Sequence, residues 1–247
     1  MALRVLEGVA DHQPAGVGQL SRALGLPKSS VQRALHTLGA AGWIQPASGG
    51  VTRWVLTARA RHVGRVAGED AGIREAAIAA MEMLRDETGE TVHLMVPDGD
   101  RAVLIERLQT SNPVRIVLPL GSSVPLHGSS NGKAMLARLR PGEARALLGD
   151  ELLRYTDSTI VDWDLLEAEL AEIRGRGYAT NYGEWRADIA AVAAAILRDD
   201  GKPAASLSVS TPVSRMPPDA AVRYGALVAE AARQVSTMLG YRTPAAS

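Results

Sequence analysis

Three groups of residues in this 247-residue chain have types and spacing that could do chemistry. The first is Gly128-Ser129-Ser130-Asn131-Gly132-Lys133-Ala134, preceded by His127. Glycines that bare backbone amides beside a lysine suit an anion, as in a phosphate loop. Here only three residues separate the glycines and Ala134 stands where magnesium needs a hydroxyl, so nucleotide hydrolysis fits poorly. Ser129 or Ser130 with His127 suggests a hydrolase, but no Gly-x-Ser-x-Gly elbow is present and no acid is identifiably paired with His127. The second group is Glu90-x-x-His93. On an expected strand that spacing sends the two side chains to opposite faces, which argues against a shared metal and leaves His93 a structural residue. The third is Ser29, Gln32, Arg33 and His36, one side of an expected helix whose other side is Val31, Leu35 and Leu38. Hydrogen-bonding and cationic side chains on one helix face are what base edges in a major groove require.

The elements around that helix support this use. Leu3, Leu6 and Ala10 recur at helical spacing, and Gln13-Pro14-Ala15-Gly16 reads as a turn. A second helix is expected over 17–24, stopped by Gly25 in a left-handed conformation, and a third over 27–41 with Pro27 in its first turn. The period then changes to that of two short strands, 43–45 and 51–56, joined through Ser48-Gly49-Gly50. Helix, helix, glycine turn, helix and small hairpin is the order of a winged helix-turn-helix, here over residues 1–57. Lys28 and Ser30 at the start of the third helix suit a phosphate, and Arg53 on the wing could reach the neighbouring backbone.

Charge is partitioned in the same way. The chain has 27 basic and 27 acidic residues, yet residues 1–65 hold eight Lys and Arg against Glu7 and Asp11, a net +6, and the remainder carries −6. That pattern suggests one surface for polyanions and another that avoids them. It disfavours an architectural, nonspecific DNA binder, which normally carries positive charge over the whole molecule. The absence of cysteine excludes disulfides, thiolate zinc fingers, iron-sulfur sites and a Cys nucleophile. The longest apolar run, 189–197, is far short of a membrane span. Glu7, Asp11 and His12 break up any hydrophobic stretch after Arg4, so a signal peptide is not expected and the cytoplasm is the default location.

Residues 58–72 read as a linker helix, and 73–247 as an α+β domain. Its expected elements are a helix marked by Ile73, Ala77, Ala80 and Leu84, a hairpin of 91–96 and 102–108 across Asp98-Gly99, a third strand over 114–120 and short helices within 125–139 and 141–148. A longer helix through Trp163, Leu166, Leu170 and Ile173 follows, then a hairpin of 189–197 and 204–210, and a final helix presenting Ala221, Tyr224, Val228, Ala231, Val235 and Met238. Along the last strand Ser206, Ser208 and Ser210 share one face, which could be a pocket or an exposed surface.

These residues carry a resemblance. Leu24-Gly25-Leu26-Pro27-Lys28-Ser29-Ser30-Val31, Thr88-Gly89-Glu90-Thr91-Val92-His93-Leu94, Pro125-Leu126-His127 through Gly132-Lys133-Ala134, Gly177-Tyr178-Ala179 and Ser206-Leu207-Ser208-Val209-Ser210 occur in order over most of the chain. Together they resemble the IclR family of bacterial transcription regulators. The resemblance implies an N-terminal winged helix that binds double-stranded operator DNA, a C-terminal GAF-like α/β domain that binds a small effector, and assembly as a homodimer or homotetramer. It implies an effector site at Ser129, Ser130 and Asn131, whose backbone amides would take an acceptor, and at Asn181, Ala191, Ser208 and Ser210. This chain departs from the family pattern in having no acid near Asn181, no cysteine at 191 and no proline at 195, which suggests a more neutral, roomier site. Trp185 could stack on an aromatic ligand and Arg186 pair with an anionic one, although a solvated loop is the simpler reading of both. The resulting expectation is a non-enzymatic, ligand-responsive repressor or activator with no cofactor or metal, taking an acidic or aromatic effector. A DNA-binding domain fused to a hydrolase or amidase-like domain is the alternative.

Overall fold

A computed structural model describes residues 1–47, 52–66 and 70–242. Contacts divide the chain into two units, Met1–Glu69 and Asp70–Ser247.

The first unit contains α1 (Ala2–His12), α2 (Val17–Leu24), α3 (Lys28–Ala40), β1 (Ile44–Pro46), β2 (Trp54–Leu56) and α4 (Ala58–Val66). Its core is Val5, Val9, Leu20, Val31, Leu35, Leu38 and Ile44. The buried stripe of α1 is therefore Val5, Gly8 and Val9, rotated from the expected Leu3, Leu6 and Ala10. Leu3 is exposed. The reason lies in tertiary contact: a Cβ on Gly8 would stand 3.0 Å from Leu24 Cδ1, so α1 approaches α2 along the side that carries the smallest residue. Gly25 ends α2 at φ 64°, and both its own amide and that of Leu26 bond to Ser21 O, a six-to-one and five-to-one closure that turns the chain into α3.

The wing is antiparallel, with Ile44 opposite Leu56 and Pro46 opposite Trp54. Trp54 also exchanges backbone bonds with Ala15, which fastens the wing to the turn after α1. The expected turn at Ser48-Gly49-Gly50 lies outside the described residues. Of the expected linker, α4 belongs to the first unit: Arg59 Nη1 donates to Ala41 O at 2.7 Å and its guanidinium covers the Trp43 ring.

In the second unit α5 (Asp70–Thr88) leads into β3 (Thr91–Asp98), β4 (Arg101–Leu108) and β5 (Ser123–Pro125). The helices α6 (Ser130–Leu136), α7 (Glu143–Leu148) and α8 (Trp163–Arg176) come next. The chain continues through β6 (Ala179–Tyr182), β7 (Ile189–Leu197), β8 (Pro203–Pro212), a 3-10 turn (Val213–Arg215) and α9 (Pro218–Met238). The six strands form one antiparallel sheet in the order β5-β4-β3-β8-β7-β6.

Side-chain alternation sorts the sheet into two faces. Val92 and Leu94 of β3, Val192 and Ile196 of β7, and Leu207 and Val209 of β8 pack on α5 and α9. Met95, Leu104, Ala193 and Ile189 face the other way, into a second core with Leu126, Met135, Leu136, Leu166 and Leu170. Strand β7 is thus covered on both sides, which explains its unbroken apolar sequence.

Three expectations need correction. Residues 114–120 are not a strand: they join no ladder and give Ile116 and Leu118 to the second core while Val114 and Leu120 stay exposed, and the outer strand is β5 instead. A two-residue alternation reports which side chains are buried, not whether the backbone joins a ladder. Strand β6 was not foreseen, because four residues of mixed polarity give too short a pattern. Met238 is 68% exposed at the end of α9 rather than on its buried face.

Candidate functional site

The first candidate surface is the outer face of α3. Val31, Ala34, Leu35 and Leu38 are buried, and that fixes the rotation of the helix. Lys28, Ser29, Gln32, Arg33 and His36 are therefore all exposed together. Ser30 is half-buried. Arg53 is exposed in the segment leading to β2, and its guanidinium lies 3.5 Å from Pro14 O. Among the described residues none of the exposed cations Lys28, Arg33 and Arg53 is in an ion pair.

The second candidate is a cavity in the second unit, between the sheet and α6. Asn181, Ala191 and Ser210 form one row across β6, β7 and β8, since Asn181 pairs with Ala191 and Ala191 with Ser210. This row lines the cavity with Ser129, Ser130 and Asn131 at the start of α6. Ser208, expected with them, is fully buried but does not line it. Sequence reasoning missed the walls formed by His93, Met95, Ile116, Leu118, Val124 and Ile189. Alternation in β3 was the available signal, because it puts His93 on the face of Met95 and opposite Val92 and Leu94. Trp185, half-buried, and Arg186, exposed, also line the cavity, and the Arg186 guanidinium lies 4.5 Å from the Trp185 ring centroid. The cavity volume is about 30 Å³, so the site is narrow rather than roomy. The expectation of a neutral site with no acid near Asn181 needs correction: Arg186 puts a positive charge on the wall, and Glu184 follows Asn181 closely, although its carboxylate is turned to Lys133 and not to the cavity.

Hydrogen bonds show which of these groups are already committed. Ser129 Oγ caps α6 by accepting from the Gly132 amide and donates to Pro125 O at 2.6 Å. Asn131 Nδ2 donates to Ser206 Oγ at 3.0 Å. Asn181 Nδ2 donates to Gly128 O at 2.7 Å, and its Oδ1 accepts from the Glu184 amide. His93 Nδ1 lies 3.1 Å from Ser210 Oγ. Burial, with Arg107 nearby, lowers the His93 pKa from 6.5 to about 3, so its ring is neutral.

The same bonds dispose of the catalytic alternatives. Lys133 is 1% exposed and its ammonium is 2.7 Å from Glu184 Oε1, which leaves it no phosphate to hold. His127 Nε2 is 2.9 Å from Leu153 O and its ring lies against Tyr155, while Ser129 is a helix cap and Ser130 Oγ has no partner among the described residues, so neither serine is paired with His127. Glu90 is engaged in a two-point ion pair with Arg215, away from any metal role with His93. No cluster of three metal-ligating side chains occurs among the described residues, and no described helix is long and apolar enough to cross a membrane.

Comparison with known proteins bears on both surfaces. Residues 2–47 match the family model described as the IclR helix-turn-helix domain, and residues 67–237 match the bacterial transcriptional regulator IclR C-terminal model. The chain is 31% identical over 242 residues to the transcriptional repressor IclR of Escherichia coli, covering 96% of this chain and 88% of that one. It is 34% identical over 232 residues to the transcriptional repressor AllR of Klebsiella pneumoniae, covering 94% and 85%. The crystal structure of IclR from Thermotoga maritima superposes with a TM-score of 0.79 at 27% identity over 97% of both chains. These relatives are repressors and give the hydrolase and amidase-like alternative no support. The chain belongs to the IclR family of bacterial transcriptional regulators: it is a ligand-responsive, DNA-binding protein and not an enzyme.

Proposed function

We propose that α3 enters the major groove of an operator, where Ser29, Gln32, Arg33 and His36 read base edges, Lys28 and Ser30 meet phosphate and Arg53 contacts the flanking backbone. The observation that carries this reading is the common exposure of Gln32, Arg33 and His36 on the helix whose opposite side closes the core. Two copies, in a homodimer or in each half of a homotetramer, would read half-sites about 34–36 Å apart. Such a protein works where the chromosome is, in the cytoplasm.

The cavity at Ser129, Ser130, Asn131, Asn181, Ala191 and Ser210 is the proposed effector site, with Ser208 in the layer beneath. Arg186 supports an acidic effector, since it stands at the wall with no carboxylate within ion-pair distance among the described residues. Trp185 supports one with an aromatic or flat apolar body. The free space is small beside an organic acid, and on this reading the ligand moves a wall as it enters. That movement supplies the unequal affinity for two conformations without which a ligand shifts nothing.

The test begins by selecting an operator from randomised duplexes with the full-length protein. Operator affinity is then measured with and without a panel of small carboxylic acids at millimolar concentration. The proposal expects at least one acid to change operator affinity about fivefold or more, with the change abolished by Ala191→Leu, which fills the cavity. Effects that survive Ala191→Leu would place the effector elsewhere.

A further inference from the structure

Two polar atoms on the cavity wall have no work inside the protein. His93 and Ser130 are each 1% exposed, and neither His93 Nε2 nor Ser130 Oγ has a hydrogen-bond partner among the described residues. Their neighbours on the wall are different. Ser129, Asn131 and Asn181 spend side-chain bonds on Gly132, Ser206 and Gly128, as described above, and Ser210 is bonded to His93 Nδ1. Three further buried atoms lack partners, Thr91 Oγ1, Glu184 Oε2 and Ser208 Oγ, but none of those residues lines the cavity. Leaving a buried polar atom unpaired destabilises a fold, so an atom of this kind on a cavity wall calls for a partner inside the cavity.

We infer that His93 Nε2 and Ser130 Oγ are the selecting pair of the effector site, and that they recognise a hydroxyl group on a small, otherwise largely apolar organic acid. This rests on the reading of the cavity as the effector site. The choice of a hydroxyl follows from donor and acceptor arithmetic. A neutral imidazole has one N–H and one lone pair, and the bond between Nδ1 and Ser210 can run either way. In one arrangement Nε2 accepts and in the other it donates. A ligand hydroxyl donates and accepts, so it satisfies Nε2 in both cases and uses its remaining capacity on Ser130, whose own hydroxyl rotates. A carboxylate only accepts. Around this pair the wall is Met95, Ile116, Leu118 and Val124, which can bury a hydrocarbon body but pair with nothing polar. Ser210 is the positioning residue: across the β3–β8 pairing it fixes the imidazole plane, and burial keeps the ring uncharged.

The test uses matched acids that differ by one hydroxyl, 4-hydroxybenzoate with benzoate and 3-hydroxybutyrate with butyrate, titrated calorimetrically into the full-length wild type, His93→Leu and Ser130→Ala. Ser130→Ala removes a single hydroxyl, so it reports even where His93→Leu lowers the folded yield. In wild type the hydroxylated member of at least one pair is expected to bind about 10- to 100-fold tighter than its partner. In either variant that ratio should fall towards one while binding of the unhydroxylated acid is retained. A preference that persists in both variants, or the absence of any preference, would overturn the inference. Acids that bind and alter operator affinity without hydroxyl preference would leave the effector reading standing and sink this one. If none of the four binds, the assigned ligand class is wrong, and a response to other acids in the operator assay decides separately whether the cavity is an effector site.

Discussion

Lys133 Nζ lies 2.7 Å from Glu184 Oε1, and both side chains are at least nine-tenths buried. The pair joins two sides of the cavity. Lys133 is in the helix whose first residues are Ser130 and Asn131, and Glu184 begins the loop that carries Trp185 and Arg186. Thr156 and Thr159 donate to the carbonyls of Gly183 and Glu184, holding the same loop from outside. A ligand that wedges α6 from this loop therefore acts on a buried ion pair, which tolerates displacement badly.

Removing the cation exposes that dependence. Burial pushes the Glu184 carboxyl above its ordinary pKa, and Lys133 opposes the rise. Lys133→Met should lose about 3–5 kcal/mol of stability at pH 8, because an unpaired carboxylate is left inside. A carboxyl raised in the folded state contributes its stability below the unfolded pKa and loses it as pH rises through the folded value. The deficit of the variant should accordingly shrink between pH 8 and pH 5 in urea titrations, and Lys133→Met/Glu184→Gln should recover part of it. A deficit independent of pH would point to lost packing instead.

Gly132 sets how closely α6 can dock. A Cβ there would fall 2.1 Å from Leu126 O and 2.2 Å from Leu126 Cα, distances that backbone cannot accommodate in place. Gly132→Ala should cost at least about 3 kcal/mol, or prevent folding of the second unit, although alanine is the better helix former. Thermal unfolding checks it, and an unchanged Tm would contradict the docking described.

His93 makes a pH prediction of opposite sign. Its pKa is about 3 in the folded protein, below the ordinary 6.5, because burial and Arg107 both disfavour the imidazolium. The unfolded chain takes up a proton near pH 6.5 that the folded chain refuses, so His93 costs stability progressively from about pH 6.5 down towards pH 3, by a few kcal/mol in total. Comparing wild type with His93→Leu at pH 7.5 and 4.5 in urea should show a shallower acid loss in the variant. Equal slopes would mean that the ring is protonated inside the fold.

Much of this arrangement was legible locally. Gly25, the apolar stripe of α3 and the Asp98-Gly99 turn are each set by neighbours within a few residues, so the winged helix and the β3–β4 hairpin could be read directly. The cavity could not. Ser210 meets His93 across 117 residues through the β3–β8 pairing, and Ile116 and Leu118 cover the site without joining a ladder. Family resemblance brought out Ser129, Ser130, Asn131, Asn181, Ala191 and Ser210. Which of those side chains are free and which are consumed as caps and braces depends on partners far along the chain, as with Asn131 and Ser206.

The central claim is that the exposed face of α3 reads DNA sequence, and Arg33 is its clearest probe. The direct measurement is fluorescence anisotropy of the full-length protein on its selected operator and on a scrambled duplex, over a salt series, for wild type and Arg33→Ala. The account predicts that wild type prefers the operator and that Arg33→Ala loses about 1–3 kcal/mol on the operator and much less on the scrambled duplex. Equal binding of both duplexes, unchanged by Arg33→Ala, would contradict it.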